Sequence, residues 1–240
     1  MKISSILAGL ALSITLIGCS LNQNSIQGDN NIKKETRNTG DYDQISMLGS
    51  FDVEIVPGKE GEITVEADEN LLPYILTDVK GGNLKIQFES GYSFRTKSGI
   101  KITVPVEAIE TIKLIGSGNI SGTLEEEQTQ LSLFLTGSGD IDLRLSSEHL
   151  SSSLIGSGDI KLQGKTNHLV TSVSGSGDFE AFELLANFIK ATVTGSGDME
   201  LYPIETIEAK VMGSGDIEYK GNPKKELAKI IGSGNVREVN

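Results

Sequence analysis

Residues 137–160 read GSGDIDLRLSSEHLSSSLIGSGDI, in which the sequence Gly-Ser-Gly-Asp occurs twice, nineteen positions apart. The Gly-Ser-Gly tripeptide recurs through the second half of the chain at intervals of 18 to 21 residues, and each copy is followed by Asp or Asn. The tripeptides begin at Gly116, Gly137, Gly156, Gly175, Gly195, Gly213 and Gly232. Self-similarity at a nearly constant period indicates a repeat architecture in which successive units stack on one another.

The residues around each tripeptide alternate between apolar and polar. The residue two positions before the first glycine is always aliphatic, and the residue four positions after it is always apolar. This period of two predicts a strand on each side of the corner, with one face buried. Each unit is therefore predicted to be a strand, a corner, a second strand and a polar loop, such as residues 163–167 and 221–225. We expect both corner glycines to point inward, where a tight corner leaves no room for a Cβ atom.

One unit cannot bury its apolar face alone, whereas units stacked in parallel register about 4.8 Å apart can. The sequence thus predicts an all-β protein with a parallel β-helix, or solenoid, of roughly nineteen-residue coils over residues 116–240. An antiparallel meander or barrel of hairpins is the alternative. Residues 41–115 lack the tripeptide but keep alternating stretches, which predicts an irregular β region before the solenoid. Within it, residues 48–52 (LGSFD) are a candidate divergent copy of the corner.

The start of the chain has the organisation of a bacterial export signal. A basic Met1-Lys2 is followed by an apolar stretch over residues 3–17, which is too short to span a membrane comfortably. The stretch ends in Leu16-Ile17-Gly18-Cys19, which resembles a bacterial lipobox. Residues 1–18 are therefore predicted to be a lipoprotein signal peptide. An ordinary secretory signal followed by a chance cysteine is the alternative.

The lipobox implies that Cys19 carries the lipid and that the protein meets the membrane through this anchor. Ser20 follows the cysteine, and in Gram-negative lipoproteins a residue other than Asp at this position favours the outer membrane. We therefore expect a lipid-anchored protein of the cell envelope, facing either the periplasm or the exterior. Residues 19–40 are polar and aperiodic, which predicts a flexible tether between lipid and domain.

The composition excludes several classes of function. With 21 Lys and Arg against 33 Asp and Glu, the formal net charge is −12, which leaves no cationic surface for nucleic acid. A single cysteine cannot form an internal disulfide, and no cluster of Cys and His has the spacing of a zinc site. Only two histidines and no tryptophan are present, so nucleophilic chemistry has few candidate bases and an indole platform for sugars is missing.

A family resemblance follows from three features in order. FDVEIVPG at 51–58 comes first, ADENLLPYI at 67–75 is followed by GGNLKI and IKITVP, and the run of GSGDI-type coils completes the chain. Together they resemble the bacterial head GIN domain, a family associated with auto-transporter adhesins and otherwise of unknown function. The resemblance covers residues 41–240 and implies a right-handed β-helix-like fold in a cell-envelope protein. It supplies no catalytic residues, and it supports adhesion only by association.

Stacked coils would align the corner serines in one column and the following aspartates in another. The candidate ligand or cation face consists of Ser138, Asp140, Ser157, Asp159, Ser176, Asp178, Ser196, Asp198, Ser214 and Asp216. Carboxylates about 4.8 Å apart repel, so something must offset the repulsion. In the simplest interpretation each Asp accepts hydrogen bonds from backbone amides of its own turn. A bridging calcium ion is an alternative.

Polysaccharide cleavage by paired aspartates is a further alternative, because carboxylates one or two layers apart match the separations used in sugar hydrolysis. A catalytic pair, however, needs two unlike environments, whereas a repeated column provides like ones. No catalytic residue, metal ligand or cofactor is therefore predicted.

Three other groups of residues are candidates for function. His149 and His168 lie at the same distance from their corners and are expected to stack, with Asn187 at the matching position of the next unit. Residues 125–127 (EEE) are expected to form a solvated loop. Tyr74, Tyr92 and Phe94 could form a ligand patch, but packing within the N-terminal region is the simpler interpretation. All three groups are thus interpreted structurally.

These observations predict a non-enzymatic envelope lipoprotein with a rigid solenoid that displays a repetitive Ser/Asp face. Such a face suits an extended partner, either a glycan or another envelope protein, because its groups recur at a fixed spacing. A structural module that self-associates through the ends of the solenoid is the alternative from a different class, since terminal coils expose strand edges unless they are capped. The oligomeric state is left open.

Overall fold

The computed structural model describes residues 24–239 of the chain. The signal peptide predicted at residues 1–18 and the lipidation predicted at Cys19 lie outside the described residues. Within the described range the chain consists of strands, turns and one 3₁₀ turn at Leu72–Tyr74. No helix of this range is long and apolar enough to cross a membrane.

The strands of the N-terminal half are β1 (Asn24–Gln27), β2 (Ile32–Gly40), β3 (Gln44–Gly49), β4 (Asp52–Pro57), β5 (Gly61–Asp68), β6 (Ile75–Lys80), β7 (Asn83–Phe88), β8 (Tyr92–Arg95) and β9 (Lys101–Val106). Those of the C-terminal half are β10 (Thr111–Gly116), β11 (Asn119–Gly137), β12 (Asp140–Gly156), β13 (Ile160–Gly175), β14 (Phe179–Gly195), β15 (Met199–Gly213), β16 (Ile217–Tyr219), β17 (Lys225–Gly232) and β18 (Val236–Glu238).

Strands β10 to β15 stack in parallel, each on the next along the chain, and form the wall of a solenoid. The first glycine of each corner pairs with the first glycine of the next, so Gly137 lies between Gly116 and Gly156. The same register continues to Gly232 at the last corner. The predicted parallel solenoid is confirmed, and the antiparallel alternative is wrong.

The coils contain fewer loops than the sequence predicts. Residues 163–167 lie inside β13, where Gln163 to Thr166 pair residue by residue with β12, so the loop predicted there is wrong. Residues 125–127 likewise lie inside β11, exposed and beside a shift in the ladder register. Where successive coils have equal length, as from β12 to β13, each backbone group stays opposite its counterpart, so the chain bends without giving up ladder hydrogen bonds. Residues 220–224 do connect β16 to β17, close to the loop predicted at 221–225.

The solenoid also extends below residue 116, into the region predicted to be irregular. Strand β3 pairs in parallel with β10 and β7, and β4 pairs in parallel with β11 and β9. Gly49 is opposite Gly116 and Asp52 is opposite Asn119, which confirms residues 48–52 as a divergent corner. The prediction of an irregular β region before the regular coils is nevertheless confirmed. Strand β6 pairs with β7, β5 with β9 and β2 with β5 in antiparallel fashion, and β1 and β8 form a separate two-stranded sheet.

The flexible tether predicted over residues 19–40 is wrong for its described part. Strand β1 pairs in parallel with β8, and β2 pairs in antiparallel fashion with β5 over almost its whole length. Strand β2 is exposed over most of its residues, so it lacks the apolar alternation by which strands are recognised in a sequence. Its order comes instead from ladder hydrogen bonds to β5 and from long-range polar contacts.

Two buried or half-buried side chains make those polar contacts. Asp68 is 1% exposed, and its Oδ1 accepts the N–H of Asn30 at 2.7 Å while its Oδ2 accepts the hydroxyl of Thr96 at 2.5 Å. Arg37 on β2 donates from its guanidinium to the carbonyl oxygens of Leu72 and Ile75. Hydrogen bonds of this kind join the N-terminal segment to the N-terminal end of the solenoid. Because antiparallel strands border the stack there, we call it the closed end.

The core is a set of vertical columns of inward side chains. In one column, large residues near the closed end give way to small ones: Ile45, Ile112, Leu133, Ser152, Thr171, Ala191, Ala209 and Ala228. The hydroxyl oxygens of Ser152 and Thr171 are buried without a hydrogen-bond partner. These two groups reduce the stability of an otherwise apolar core, because they give up hydration without a compensating bond.

The corner glycines are required by the backbone of the neighbouring coil. At Gly156, whose φ is +133°, a Cβ atom would lie 2.1 Å from the carbonyl oxygen of Gly137. At Gly158 the same atom would lie 1.9 Å from the carbonyl oxygen of Gly139, although φ there is not in the left-handed region. The corner glycines do exclude a Cβ atom, as expected. The reason is different, however, because the atoms in the way are backbone atoms of the preceding coil.

We predict that Gly158→Ala destabilises the protein by about 2 kcal/mol or more, since coil-to-coil contact must open to admit the methyl group. Chemical denaturation followed by far-UV circular dichroism measures this change. Ser157→Ala, at the exposed neighbouring position, is the matched control and should stay within about 0.5 kcal/mol of the parent. Equal stability of the two variants would show that the corners do not set the coil spacing.

Candidate functional site

The corners form one edge of the solenoid, and each is held by the corner before it. In the corner at 156–159, the N–H groups of Ser157 and Gly158 both donate to the carbonyl oxygen of Gly137, at 2.9 and 3.2 Å. The same pair of bonds recurs at each later corner up to the last. Because successive corners share this geometry, their side chains project from equivalent positions one coil apart.

The serines of this edge form an exposed column, as the sequence predicts. Ser138, Ser157, Ser176, Ser196 and Ser214 are all exposed. The column is longer than the candidate face, since Ser117 and Ser233 also occupy it and Ser50 joins it through the divergent corner. The Oγ atoms of Ser50 and Ser117 are 3.1 Å apart and share a hydrogen bond.

The aspartates form a second column, and their hydrogen bonds join successive coils. Asp140 Oδ1 accepts the backbone N–H of Asp159 at 3.0 Å, and Asp159 Oδ1 accepts that of Asp178 at 2.9 Å. The series continues through Asp198 and Asp216 at 2.8 and 2.7 Å. The expectation that each aspartate accepts an amide of its own turn is therefore wrong. Each carboxylate accepts a backbone N–H of the next coil instead.

Asparagines occupy the positions on either side of the run from Asp140 to Asp216. Asn235 in the last coil donates its backbone N–H to Asp216 Oδ1 at 2.8 Å. At the other end, Asn119 donates from Nδ2 to Asp52 Oδ1 at 2.8 Å. Asp52 is a member of the column that the sequence pattern did not identify, because its corner reads Gly-Ser-Phe rather than Gly-Ser-Gly. The divergent corner at residues 48–52, which contains Asp52, is the sequence signal that identifies this residue.

These bonds offset the repulsion between neighbouring carboxylates. An N–H group that donates to each Oδ1 places a partial positive charge between successive acidic groups, and a hydrogen bond to a charged acceptor is stronger than a neutral one. Within residues 24–239, no group of three or more His, Cys, Asp and Glu side chains could hold a metal ion. The arrangement therefore provides a repeated hydroxyl beside a structurally engaged carboxylate.

A second acidic column runs along the neighbouring face. Glu200 lies in register between Glu180 and Glu218 on adjacent coils. Burial, followed by repulsion from these two carboxylates, raises the pKa of Glu200 above its ordinary value. Lys161 partly offsets this repulsion, because its Nζ lies 3.5 Å from a carboxylate oxygen of Glu180. Glu200 thus favours its protonated form more than a solvated glutamate does.

His149 and His168 stack as predicted, with ring centroids 5.0 Å apart and planes inclined by 17°. The next ring in the stack belongs to Phe188, 4.9 Å from His168, so the placement of Asn187 at that position is wrong. The ladder between β13 and β14 shifts register between Lys161 and Gln163, which moves the alignment by one residue. Asn187 lies one position earlier and donates from Nδ2 to Asn167 Oδ1 at 2.9 Å.

The aromatic residues of the N-terminal region pack against one another. Tyr74 lies 4.9 Å from Tyr92 and 5.5 Å from Phe94, measured between ring centroids. Phe94 stacks on Phe88 at 4.2 Å, and Phe88 contacts the buried Phe51. The interpretation of these rings as packing at the closed end of the solenoid is confirmed.

Similarity to known proteins agrees with this architecture. Residues 41–223 match the family described as "Putative auto-transporter adhesin, head GIN domain", and the chain belongs to this family. No curated protein sequence matches the chain significantly.

Solved structures share the fold over nearly the whole chain. A crystal structure titled as a putative adhesin from Bacteroides fragilis is 24% identical, with a TM-score of 0.83, over 89% of this chain and 100% of that one. A putative lipid binding protein from Parabacteroides distasonis is 27% identical with a TM-score of 0.74, over 90% and 100% of the two chains. A putative adhesin from Parabacteroides merdae is 22% identical with a TM-score of 0.71, at the same coverage.

We predict that Asp178→Ala lowers the free energy of unfolding by about 1–2 kcal/mol, because the N–H of Asp198 loses its acceptor. Asp178→Asn keeps an acceptor oxygen and should cost less. Denaturant titration of both variants measures the difference. Ser176→Ala, in the same corner, is the control. A loss as large for Asn as for Ala would contradict the acceptor role and point to the charge itself.

Proposed function

We propose that this protein is a non-enzymatic, adhesin-like module of the cell envelope that binds an extended partner along its column of corner serines. The observation that carries the proposal is the exposed serine column, which recurs at each corner in unbroken register. Membership of a family described in terms of adhesins supports an adhesive role. A glycan chain is the partner that suits the column best, because each hydroxyl can both donate and accept.

The regularity of the column favours a repetitive ligand. Seven coil-to-coil steps separate Ser50 from Ser233, which corresponds to about 34 Å of solenoid. The serine backbone amides are bound to the preceding coil, so the hydroxyls stand on a rigid edge and lose little freedom on binding. Individually weak contacts then add along the ligand without a large entropic cost. Such a site binds its ligand along an extended surface and does not require a deep pocket.

The aspartate column supports a binding role more than a catalytic one. Asp140, Asp159, Asp178 and Asp198 each accept a backbone N–H of the next coil through Oδ1, so their environments are alike. Sugar hydrolysis requires one carboxyl group that holds its proton and one that does not. The carboxylates instead brace the corners that present the hydroxyls, and a calcium ion is not needed to keep them together.

We further propose that Cys19 anchors the protein to the outer membrane through a lipid. Four residues separate Cys19 from the start of β1 at Asn24, which limits the distance between them to about 17 Å at full extension. Because β1 pairs with β8 at the closed end, this end would lie near the membrane and the last coils would point away from it. The serine column would then stand roughly along the membrane normal.

We expect the serine column to be needed for glycan binding. A glycan array with the purified protein identifies the ligand, and titration of that glycan compares variants. Ser157→Ala combined with Ser176→Ala should weaken binding about tenfold or more, because two adjacent hydroxyls are lost. The matched control is Ser153→Ala with Ser172→Ala, on the same two coils but outside the corners, and should bind like the parent. An array without binding, or equal losses in both double variants, would refute the glycan site.

Cys19→Ala should release the protein from membranes. Expressed in a Gram-negative host, the parent is expected in the detergent phase after Triton X-114 partitioning and the variant in the aqueous phase, because acyl chains supply the hydrophobic attachment. Ser20→Ala is the control and should remain in the detergent phase. Aqueous partitioning of the parent would contradict the lipid anchor.

A further inference from the structure

The two ends of the solenoid differ. At the N-terminal end, antiparallel strands β2, β5 and β6 border the stack, and the ring cluster of Tyr74, Phe88 and Phe94 packs there. At the C-terminal end, β17 pairs with β15 on one side, and within residues 24–239 no strand pairs with its other side. All eight residues of β17 are exposed. In the described part of the chain, the C-terminal edge of the stack is therefore uncovered.

The inward side chains of β17 show that a further layer would complete the core. Ile230 lies in the column of Val193 and Val211, each of which is fully buried, yet Ile230 itself is 45% exposed. Ala228 continues the column of buried Ala191 and Ala209 and is exposed as well. An added strand with apolar residues at alternate positions would bury both side chains and bond to the free edge.

Two of the four outward residues of β17, Lys225 and Lys229, indicate the charge of such a strand, and the other two, Leu227 and Ile231, are exposed apolar side chains. Lys229 stacks directly on Lys210 of the preceding coil, so two like charges are neighbours. Neither Lys225 nor Lys229 takes part in an ion pair in the described part of the chain, whereas Lys224 is paired with Glu205. Acidic residues above these lysines would relieve the repulsion and supply the missing partners.

The net charge of the C-terminal end of the chain also favours an acidic partner. Residues 220–240 contain five Lys and Arg but only two Glu, whereas the complete chain has a net charge of −12. Lys224 and Arg237 are paired with Glu205 and Glu218, so three of the five cations have no acidic partner within the described residues. One of the two acids, Glu226, is already engaged, because its Oε2 accepts the hydroxyl of Tyr219 at 2.8 Å. A second copy that paired through its own β17 would bring the same lysines against these lysines. Self-association through this end is therefore disfavoured by charge.

We propose that the open edge of β17 is a docking site for an extended acidic segment of another protein, which adds a strand to the solenoid. Main-chain hydrogen bonds to β17 provide affinity, alternate apolar side chains cover Ala228 and Ile230, and acidic side chains contact Lys225 and Lys229. This site shares no residue with the serine column, whose last member Ser233 follows β17, and it does not depend on glycan binding. If Cys19 carries the anchor, the site lies at the end away from the membrane.

The test uses the full protein and a blocked, fluorescently labelled peptide, Glu-Val-Glu-Val-Glu-Val-Glu. The peptide of the same pattern with Lys in place of Glu is the charge control. The acidic peptide with every Glu and Val amide N-methylated cannot donate hydrogen bonds to the edge. Fluorescence anisotropy measures binding. Hydrogen exchange of the amides of residues 225–232 locates it, because an added strand slows their exchange.

The acidic peptide is expected to bind and to protect residues 225–232, whereas the two control peptides bind at least about tenfold more weakly. Lys225→Glu with Lys229→Glu should weaken binding of the acidic peptide by about tenfold or more. Lys113→Glu with Lys165→Glu, at exposed positions elsewhere on the solenoid, should not. Should the first pair fail to fold by circular dichroism, the neutral pair Lys225→Gln with Lys229→Gln replaces it.

Three outcomes would overturn the proposal. The first is equal binding of the acidic and basic peptides, and the second is binding that leaves exchange at residues 225–232 unchanged. The third is protection of these residues without peptide, together with a doubling of mass as concentration rises, since that would assign the edge to a second copy. Analytical ultracentrifugation measures the mass.

Discussion

The close approach of backbone to backbone at the corners is the constraint on which the rest of this protein depends. A Cβ atom at Gly137 would lie 2.1 Å from the carbonyl oxygen of Gly116, and the same holds one coil further at Gly156. Only glycine permits this contact, so each corner can sit on the next in one register alone. Every column of side chains, buried or exposed, inherits that register. The regular outer face is a consequence of the tight inner spacing.

The Gly-Ser-Gly-Asp corner both holds neighbouring coils together and exposes a serine side chain. In each Gly-Ser-Gly-Asp corner, one carboxylate oxygen of the aspartate accepts a backbone N–H of the following coil, which helps to fix the spacing. The serine before it has its amide bound to the preceding coil and its side chain exposed. A row of like carboxylates thereby becomes tolerable, because each is bonded to a donor. The serine hydroxyls remain exposed, which is why we propose them as the ligand-binding groups.

The ends of the solenoid divide the molecule into two unlike regions. Antiparallel strands and a ring cluster finish the N-terminal end, and Asp68 and Arg37 hold the first described strands against it. The C-terminal end finishes in an exposed parallel strand on which Ile230 lacks the cover that Val211 has. A stacked architecture has this property in general, because each layer is stabilised by its neighbours, and within residues 24–239 no strand pairs with the free side of β17.

The sequence by itself determined the fold, since apolar alternation around a recurring Gly-Ser-Gly at nineteen-residue spacing allows few arrangements other than stacked coils. It also placed the serine column and the stacking of His149 on His168. Only the tertiary structure decided which amide each aspartate serves, that Phe188 rather than Asn187 continues the ring stack, and that residues 32–40 form a strand. The reason is physical: periodicity reports which face of a strand is buried, whereas hydrogen-bond partners, register shifts and exposed strands depend on what lies across from them in space.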